Sequence, residues 1–184
     1  SNPATVNAAG TINTTDTRMD IGAVTLTAAT TFDTGNAAAG ILNIGAVTSQ
    51  TNALTLDSGS TALATMGLTS MVDASGGLTI RDSGGLATIG DIGSGTAGAV
   101  TITDSTGGVT FNANVDSTTF TIAKALDAAV ITFTGDTVAI LLNETFHERL
   151  NLDMATHEDL NRLGYAQFGT ALISHELFDG ARSV

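Results

Sequence analysis

Seven times along this chain a large apolar residue, a threonine and a second large apolar residue follow one another. The copies are Val24-Thr25-Leu26, Leu54-Thr55-Leu56, Leu78-Thr79-Ile80, Val100-Thr101-Ile102, Val109-Thr110-Phe111, Phe120-Thr121-Ile122 and Ile131-Thr132-Phe133. Each is a minimal strand of period two, with apolar side chains on one face and threonine on the other. Between them lie Gly, Ser, Asn, Asp and Ala, residues that turn a chain at low steric cost. A strand-and-turn unit returning at near-constant spacing marks a solenoid, in which each unit buries its apolar face only by stacking on the next.

The spacing specifies which solenoid. The phrases at 24, 54, 78, 100 and 120 are 30, 24, 22 and 20 residues apart, and the interleaved copies at 109 and 131 are 22 apart. Weaker strands, Ile41-Leu42-Asn43-Ile44 and Leu86-Ala87-Thr88-Ile89, fill some of the gaps. A coil of roughly 20 residues with two or three short strands fits a parallel β-helix. Five to seven coils would make a rod roughly 25–35 Å long at about 4.8 Å per rung. Gly76-Gly77, Gly84-Gly85 and Gly107-Gly108 each stand directly before a strand, where positive φ permits a tight corner. Such pairs suit either a solenoid corner or a hairpin. Pro3, the single proline, lies outside every strand phrase, as a continuous ladder requires.

Composition narrows the core. Of 184 residues, 42% are apolar but only 4% aromatic, with no Trp, so the interior must be thin and filled by Val, Ile, Leu and an occasional Phe. Six basic residues against eighteen acidic ones give a formal charge of −12. That is a poor match to nucleic acid or an anionic membrane, since both need clustered Lys and Arg. No apolar run of about 18 residues is present to span a bilayer. No cysteine is present, which removes disulfides and thiolate metal sites. No secretory signal opens the chain, as expected of a processed secreted protein. Acidity, richness in Thr, Ser and Asn, and a single lysine, Lys124, lead to an expectation of an extracellular bacterial surface protein.

The chain divides into an N-terminal strand or edge segment (1–20), a solenoid body (21–142) and a C-terminal tail (143–184). Residues 1–143 contain neither Glu nor His, whereas the tail carries all four glutamates and all three histidines. Thr156 with Asp159 resembles a capping box, Leu160 and Leu163 follow at helical spacing, and Gly164 supplies a stop. From Tyr165 to Phe178, Phe168, Leu172, Ile173 and Leu177 share a helical face. The tail therefore reads as two short amphipathic helices, which would cover the open last coil or form an assembly interface.

Gly22-Ala23-Val24-Thr25-Leu26-Thr27, Gly98-Ala99-Val100-Thr101-Ile102-Thr103-Asp104 and Gly107-Gly108-Val109-Thr110-Phe111-Asn112 resemble the repeats of filamentous-haemagglutinin-like adhesins. The resemblance covers roughly residues 20–140. It implies a right-handed parallel β-helix, a cell-surface location and an adhesive or structural role. The Asn-Pro-Asn type motif of that family's secretion domain survives only as the fragment Asn2-Pro3, and members of the family are far longer.

Candidate chemistry is sparse. His147-Glu148, His157-Glu158 and His175-Glu176 lack the second His at i+4 that a helical zinc site needs, and read as solvated or interface residues. Asp57, Asp73, Asp82, Asp104 and Asp136 fall at corners, where Asp caps its own backbone; the Gly-rich repeat of calcium-binding solenoids is missing, so calcium is the lesser reading. The pairs Thr25/Thr27, Thr101/Thr103, Thr119/Thr121 and Thr132/Thr134 would form an exposed ladder able to meet glycan or ice, although Thr is also simply a good strand residue. With only Arg18, Arg81 and Lys124 basic in the body, and neither Tyr nor Trp there, a polysaccharide-cleaving site is not expected. The expectation is a non-catalytic subunit that polymerises head to tail, with Val6 and Ile12 as strand material meeting a neighbouring copy. The alternative is a monomeric module that binds glycan or ice through its threonines.

Overall fold

A computed structural model describes residues 5–123, 130–134, 138–142 and 150–152. Among them the strands are β1 (Val6–Asn13), β2 (Met19–Ile21), β3 (Val24–Asp33), β4 (Leu42–Thr48), β5 (Leu54–Gly59), β6 (Met66–Asp73) and β7 (Leu78–Ser83). They continue as β8 (Ala87–Thr96), β9 (Gly98–Ile102), β10 (Val109–Phe111), β11 (Val115–Ile122), β12 (Ile131–Phe133), β13 (Val138–Leu142) and β14 (Leu150–Leu152). Every pairing between them is parallel. Parallel pairing rules out hairpins, because each strand must go once around before it meets its neighbour. The protein is an all-β parallel solenoid of about six turns.

Three walls enclose the interior. On the first, Ile12, Phe32, Leu56, Ile80, Ile102 and Ile122 stack in register, at intervals of 20, 24, 24, 22 and 20 residues. On the second, Ile21, Ile44, Leu68, Ile89, Phe111, Phe133 and Leu152 occupy one file. The third carries Val6, Val24 and Val47, then Met71, Ile92, Val115 and Val138. Long strands such as β3 bend from the third wall to the first, so one strand serves two walls. All seven apolar-Thr-apolar phrases lie in strands, and their apolar residues point inward; only Ile122, next to the last described rungs, is less than fully buried.

The core is as thin as the composition demands. Leu26, Phe32, Leu42, Leu54, Leu56, Ile80, Ile89 and Ile102 are fully enclosed. Each such side chain contributes about 1.5–3 kcal/mol by leaving water. Toward the last coils the filling becomes aromatic. Phe111 and Phe133 stack with centroids 5.0 Å apart, and Phe120 meets Phe111 edge-on at 5.5 Å.

Positive φ occurs in two of the three glycine pairs, at Gly77 and Gly108, whereas Gly84 and Gly85 do not adopt it and are needed for close approach to the coil beneath. Gly77 adopts φ +88°, and a Cβ on Gly76 would lie 2.3 Å from the carbonyl carbon of Asn52 on the coil beneath. The strand expected from Leu86 begins instead at Ala87, leaving Leu86 outward and 46% exposed. The N-terminal segment is continuous with the body, since β1 and β2 pair with β3 and β4 in the same ladders. Lys124 and Asp136, the His-Glu pairs and the tail helix signals, including Phe168, Leu172, Ile173 and Leu177, lie outside the described residues.

Candidate functional site

Because side chains alternate across each wall, every inward file has an outward one beside it. On the first wall that outward file is threonine in every coil: Thr11, Thr31, Thr55, Thr79, Thr101 and Thr121 are register partners in turn. Thr11 is exposed, and the other five are half-buried between their neighbours. On the second wall the corresponding file runs Asp20, Asn43, Gly67, Thr88, Thr110 and Thr132.

The threonines expected to form one ladder are therefore spread over three walls. Thr101 belongs to the first, Thr132 to the second, and Thr25 to the third, where its partners are Asn7 and Thr48. Thr27, Thr103 and Thr134 do not add a parallel column, and Thr119 is partnered by Ala99. The Thr27 hydroxyl donates to the Ala8 carbonyl at 3.2 Å, and the Thr103 and Thr134 amides donate to Ile80 and Phe111 carbonyls at strand ends. What exists is one full column of threonine on the first wall, flanked by charge, and a shorter run of Thr88, Thr110 and Thr132 on the second.

That charge is an ordered cluster. Asp33, Asp57 and Asp82 are register partners on β3, β5 and β7, so three acids stack along the wall. Asp33 and Asp57 each use Oδ1 to accept the amide of the glycine two residues on, Gly35 at 2.9 Å and Gly59 at 2.8 Å. Their Oδ2 atoms share one cation. Arg81 reaches back over two coils, with Nη2 2.8 Å from Asp33 Oδ2 and Nε donating to Asp57 Oδ2. The Asp57 hydrogen bond is the main reason that the guanidinium holds its proton above the ordinary arginine value.

Asp73 caps in the same way, accepting the Ser75 amide at 3.1 Å, and hydrogen bonds from Ser75 pull its carboxyl below the usual range. Beside Asp33, Asp57, Asp82 and Asp104 sits an inward hydroxyl that the sequence reading overlooked. Thr34, Ser58, Ser83 and Ser105 are fully buried and donate to the carbonyls of Gly40, Ala64, Gly85 and Gly108 at 2.5, 3.0, 2.6 and 3.1 Å. The signal was available as Asp33-Thr34, Asp57-Ser58, Asp82-Ser83 and Asp104-Ser105, an acid followed by a small hydroxyl in four successive coils.

Two further acidic spots lie elsewhere. Asp116 on the third wall has its carboxyl pushed up, first by burial and then by the charge of Asp91. Asp91 Oδ2 accepts the Ser94 hydroxyl at 2.5 Å, and its buried Oδ1 has no hydrogen-bond partner among the described residues. At the other end, Asp20 lies 2.5 Å from Arg18 Nε and accepts Asn43 Nδ2 at 2.7 Å; those bonds, Arg18 first, lower its carboxyl. Asp20 and Asn43 also line a shallow open depression of about 340 Å3, with Gly22, Gly45 and Thr69. Among the described residues no three His, Cys, Asp or Glu side chains converge as a metal site, and no helix is long and apolar enough to cross a membrane.

Comparison with protein-family models, curated proteins and solved structures finds no match for this chain. The fold and the outward files define a parallel β-solenoid protein, and no family match supports placing it among the adhesins its repeats resemble.

Proposed function

We propose that this chain is a non-catalytic structural element that works by joining other copies of itself at its rung edges, in a surface filament or sheath outside the cell. One observation carries the reading. Among the described residues β1 and β2 are paired on one side only, to β3 and β4. Ile12 and Ile21 are correspondingly half-buried, while their next partners Phe32 and Ile44 are enclosed. A sheet edge of this kind presents unpaired amide and carbonyl groups and invites another strand. Val6 and Ile12 are already paired within their own chain, so what they offer a neighbour is the second edge of β1.

Other features are consistent with the same role. Corner acids are occupied by turns and by Arg81, the negative charge suits neither nucleic acid nor anionic lipid, and outward files of Thr, Asn and Asp suit hydrated contact or surface glycan. The adhesin-like and extracellular character rests on the repeat phrases and composition. Light scattering and negative-stain imaging of the purified chain test the proposal. Rods that lengthen with protein concentration are expected; a strict monomer at high concentration overturns it.

A further inference from the structure

The second wall runs from one end of the described solenoid to the other, and the sequences of its first and last rungs match in type. At the first rung the residues are Met19-Asp20-Ile21; at the last they are Leu150-Asn151-Leu152. Inside the chain, Met19-Asp20-Ile21 is partnered by Leu42-Asn43-Ile44 in register, and Asn43 Nδ2 donates to Asp20 Oδ1 at 2.7 Å. The last rung thus repeats, residue for residue in type, the sequence that already pairs with the first. Both β2 and β14 have one strand partner among the described residues, β4 and β12 respectively.

Resting on the self-association proposed above, we infer that copies join head to tail through the second wall, with Met19–Ile21 of one copy forming the next rung on Leu150–Leu152 of another. Position 20 then meets position 151, an aspartate beside an asparagine, as it does with Asn43 within the chain. Met19 and Ile21 then take positions 150 and 152 as register partners, as they take Leu42 and Ile44 within the chain. The opposite arrangement, two first rungs face to face, would run the strands antiparallel and set Asp20 against Asp20. Like charges directly opposite on paired strands are destabilising. Because the contact is heterologous, each copy added leaves a free rung for another and the assembly stays open.

The absence of native cysteine makes the test direct. Adjacent parallel rungs lie about 4.8 Å apart, within the Cα separation of about 4.4–6.8 Å that a disulfide accepts. Full-length Asp20→Cys and Asn151→Cys chains, distinguishable by mass, are mixed under mild oxidation. A disulfide joining the two different variants is expected. Thr110→Cys, half-buried in the middle of the same file, serves as the control and gives no link. Circular dichroism confirms that each variant keeps its sheet. An Asp20→Cys homodimer in place of the mixed link overturns the head-to-tail geometry, and so do filaments that form without any mixed link. A wild-type chain that stays monomeric, as it would if residues 153–184 of the same chain covered the last rung, overturns the self-association itself.

Discussion

Arg81 and Asp33 lie 48 residues apart in sequence and two coils apart in the solenoid, yet Arg81 Nη2 sits 2.8 Å from Asp33 Oδ2. The contact exists because register stacking places Asp33, Asp57 and Asp82 one above another on the first wall. At this spacing carboxylates in neighbouring rungs repel, and a long flexible cation reaching across two of them offsets that. A solenoid multiplies any favourable file by its number of coils, and it multiplies an unfavourable one equally.

Replacing the cation tests this balance. Arg81→Met keeps much of the aliphatic stem and removes the charge. The side chain is 44% exposed, so screening limits the loss to about 1 kcal/mol. Urea unfolding at low salt should show a lower midpoint for the variant, and 1 M salt should narrow the gap by screening the Asp33–Asp57 repulsion. Adding Asp57→Asn to Arg81→Met should recover part of the loss, since it removes one of the two facing charges.

Asp116 makes the opposite prediction for pH. Its folded carboxyl is pushed up by burial and by Asp91, so the folded state holds this proton more tightly than the unfolded chain does. Stability from this group is therefore full below the unfolded value of about 3.9 and falls as pH rises toward the elevated folded value. Asp116→Asn removes the penalty. The variant should match the wild type in acid and exceed it in thermal midpoint at neutral pH, a comparison that calorimetry at pH 3 and pH 7 makes directly.

Much of the architecture was legible because the apolar-Thr-apolar phrase is the cross-section of one wall, and seven copies survive intact. What the phrase did not give was the assignment to walls. The 30-residue interval from Val24 to Leu54 mixed two of them: Val24 lies on the third wall, and the first-wall predecessor of Leu54-Thr55-Leu56 is Thr30-Thr31-Phe32, hidden by its leading threonine. The second wall was masked likewise, since its early rungs carry Asp20, Asn43 and Gly67 where the phrase has Thr. Period two reports which side of a strand a residue faces, whereas only the corners decide which wall comes next. Those corners depend on buried hydroxyls such as Ser58 and Ser83 bonding local carbonyls, and a hydropathy pattern is blind to them.

Corner glycines allow strain and crowding to be separated. Gly59 has φ +75°, and a Cβ there would fall 2.1 Å from the Gly35 carbonyl oxygen; Gly10 has φ +70° with nothing within 4 Å of such a Cβ. Gly10→Ala should cost about 1–2 kcal/mol for the left-handed backbone alone. Gly59→Ala carries the same strain plus a backbone clash that requires two coils to separate, so its loss should exceed that of Gly10→Ala by at least about 1 kcal/mol. Chemical denaturation of the two variants measures the difference. Equal losses would mean that the coils are less tightly stacked at this corner.

The inner hydroxyls should matter as much as the apolar files. Ser83 is fully enclosed and donates to the Gly85 carbonyl at 2.6 Å. Ser83→Ala leaves that acceptor without its buried donor and should lower stability by about 1–3 kcal/mol, read from the denaturation midpoint. Ser83→Thr keeps the hydroxyl but adds a methyl group to a packed corner, and should recover only part of the loss.

The edge of β1 permits a test that leaves the fold alone. The Val6 amide donates to the Ala23 carbonyl, so alternation along a strand directs the Ala8 amide to β3 as well and the Asn7 amide to the open side. Proline lacks the amide hydrogen and is tolerated on an edge strand where that hydrogen would face solvent. Asn7→Pro should therefore keep the sheet spectrum and thermal midpoint close to wild type while abolishing any assembly through this edge, as read by light scattering. Ala8→Pro, one residue on, removes a ladder bond within the chain and leaves its acceptor unpaired, and should cost about 1–3 kcal/mol. If Asn7→Pro chains still assemble like the wild type, the third wall's edge lies outside the contact, and the other rung edges must carry the association.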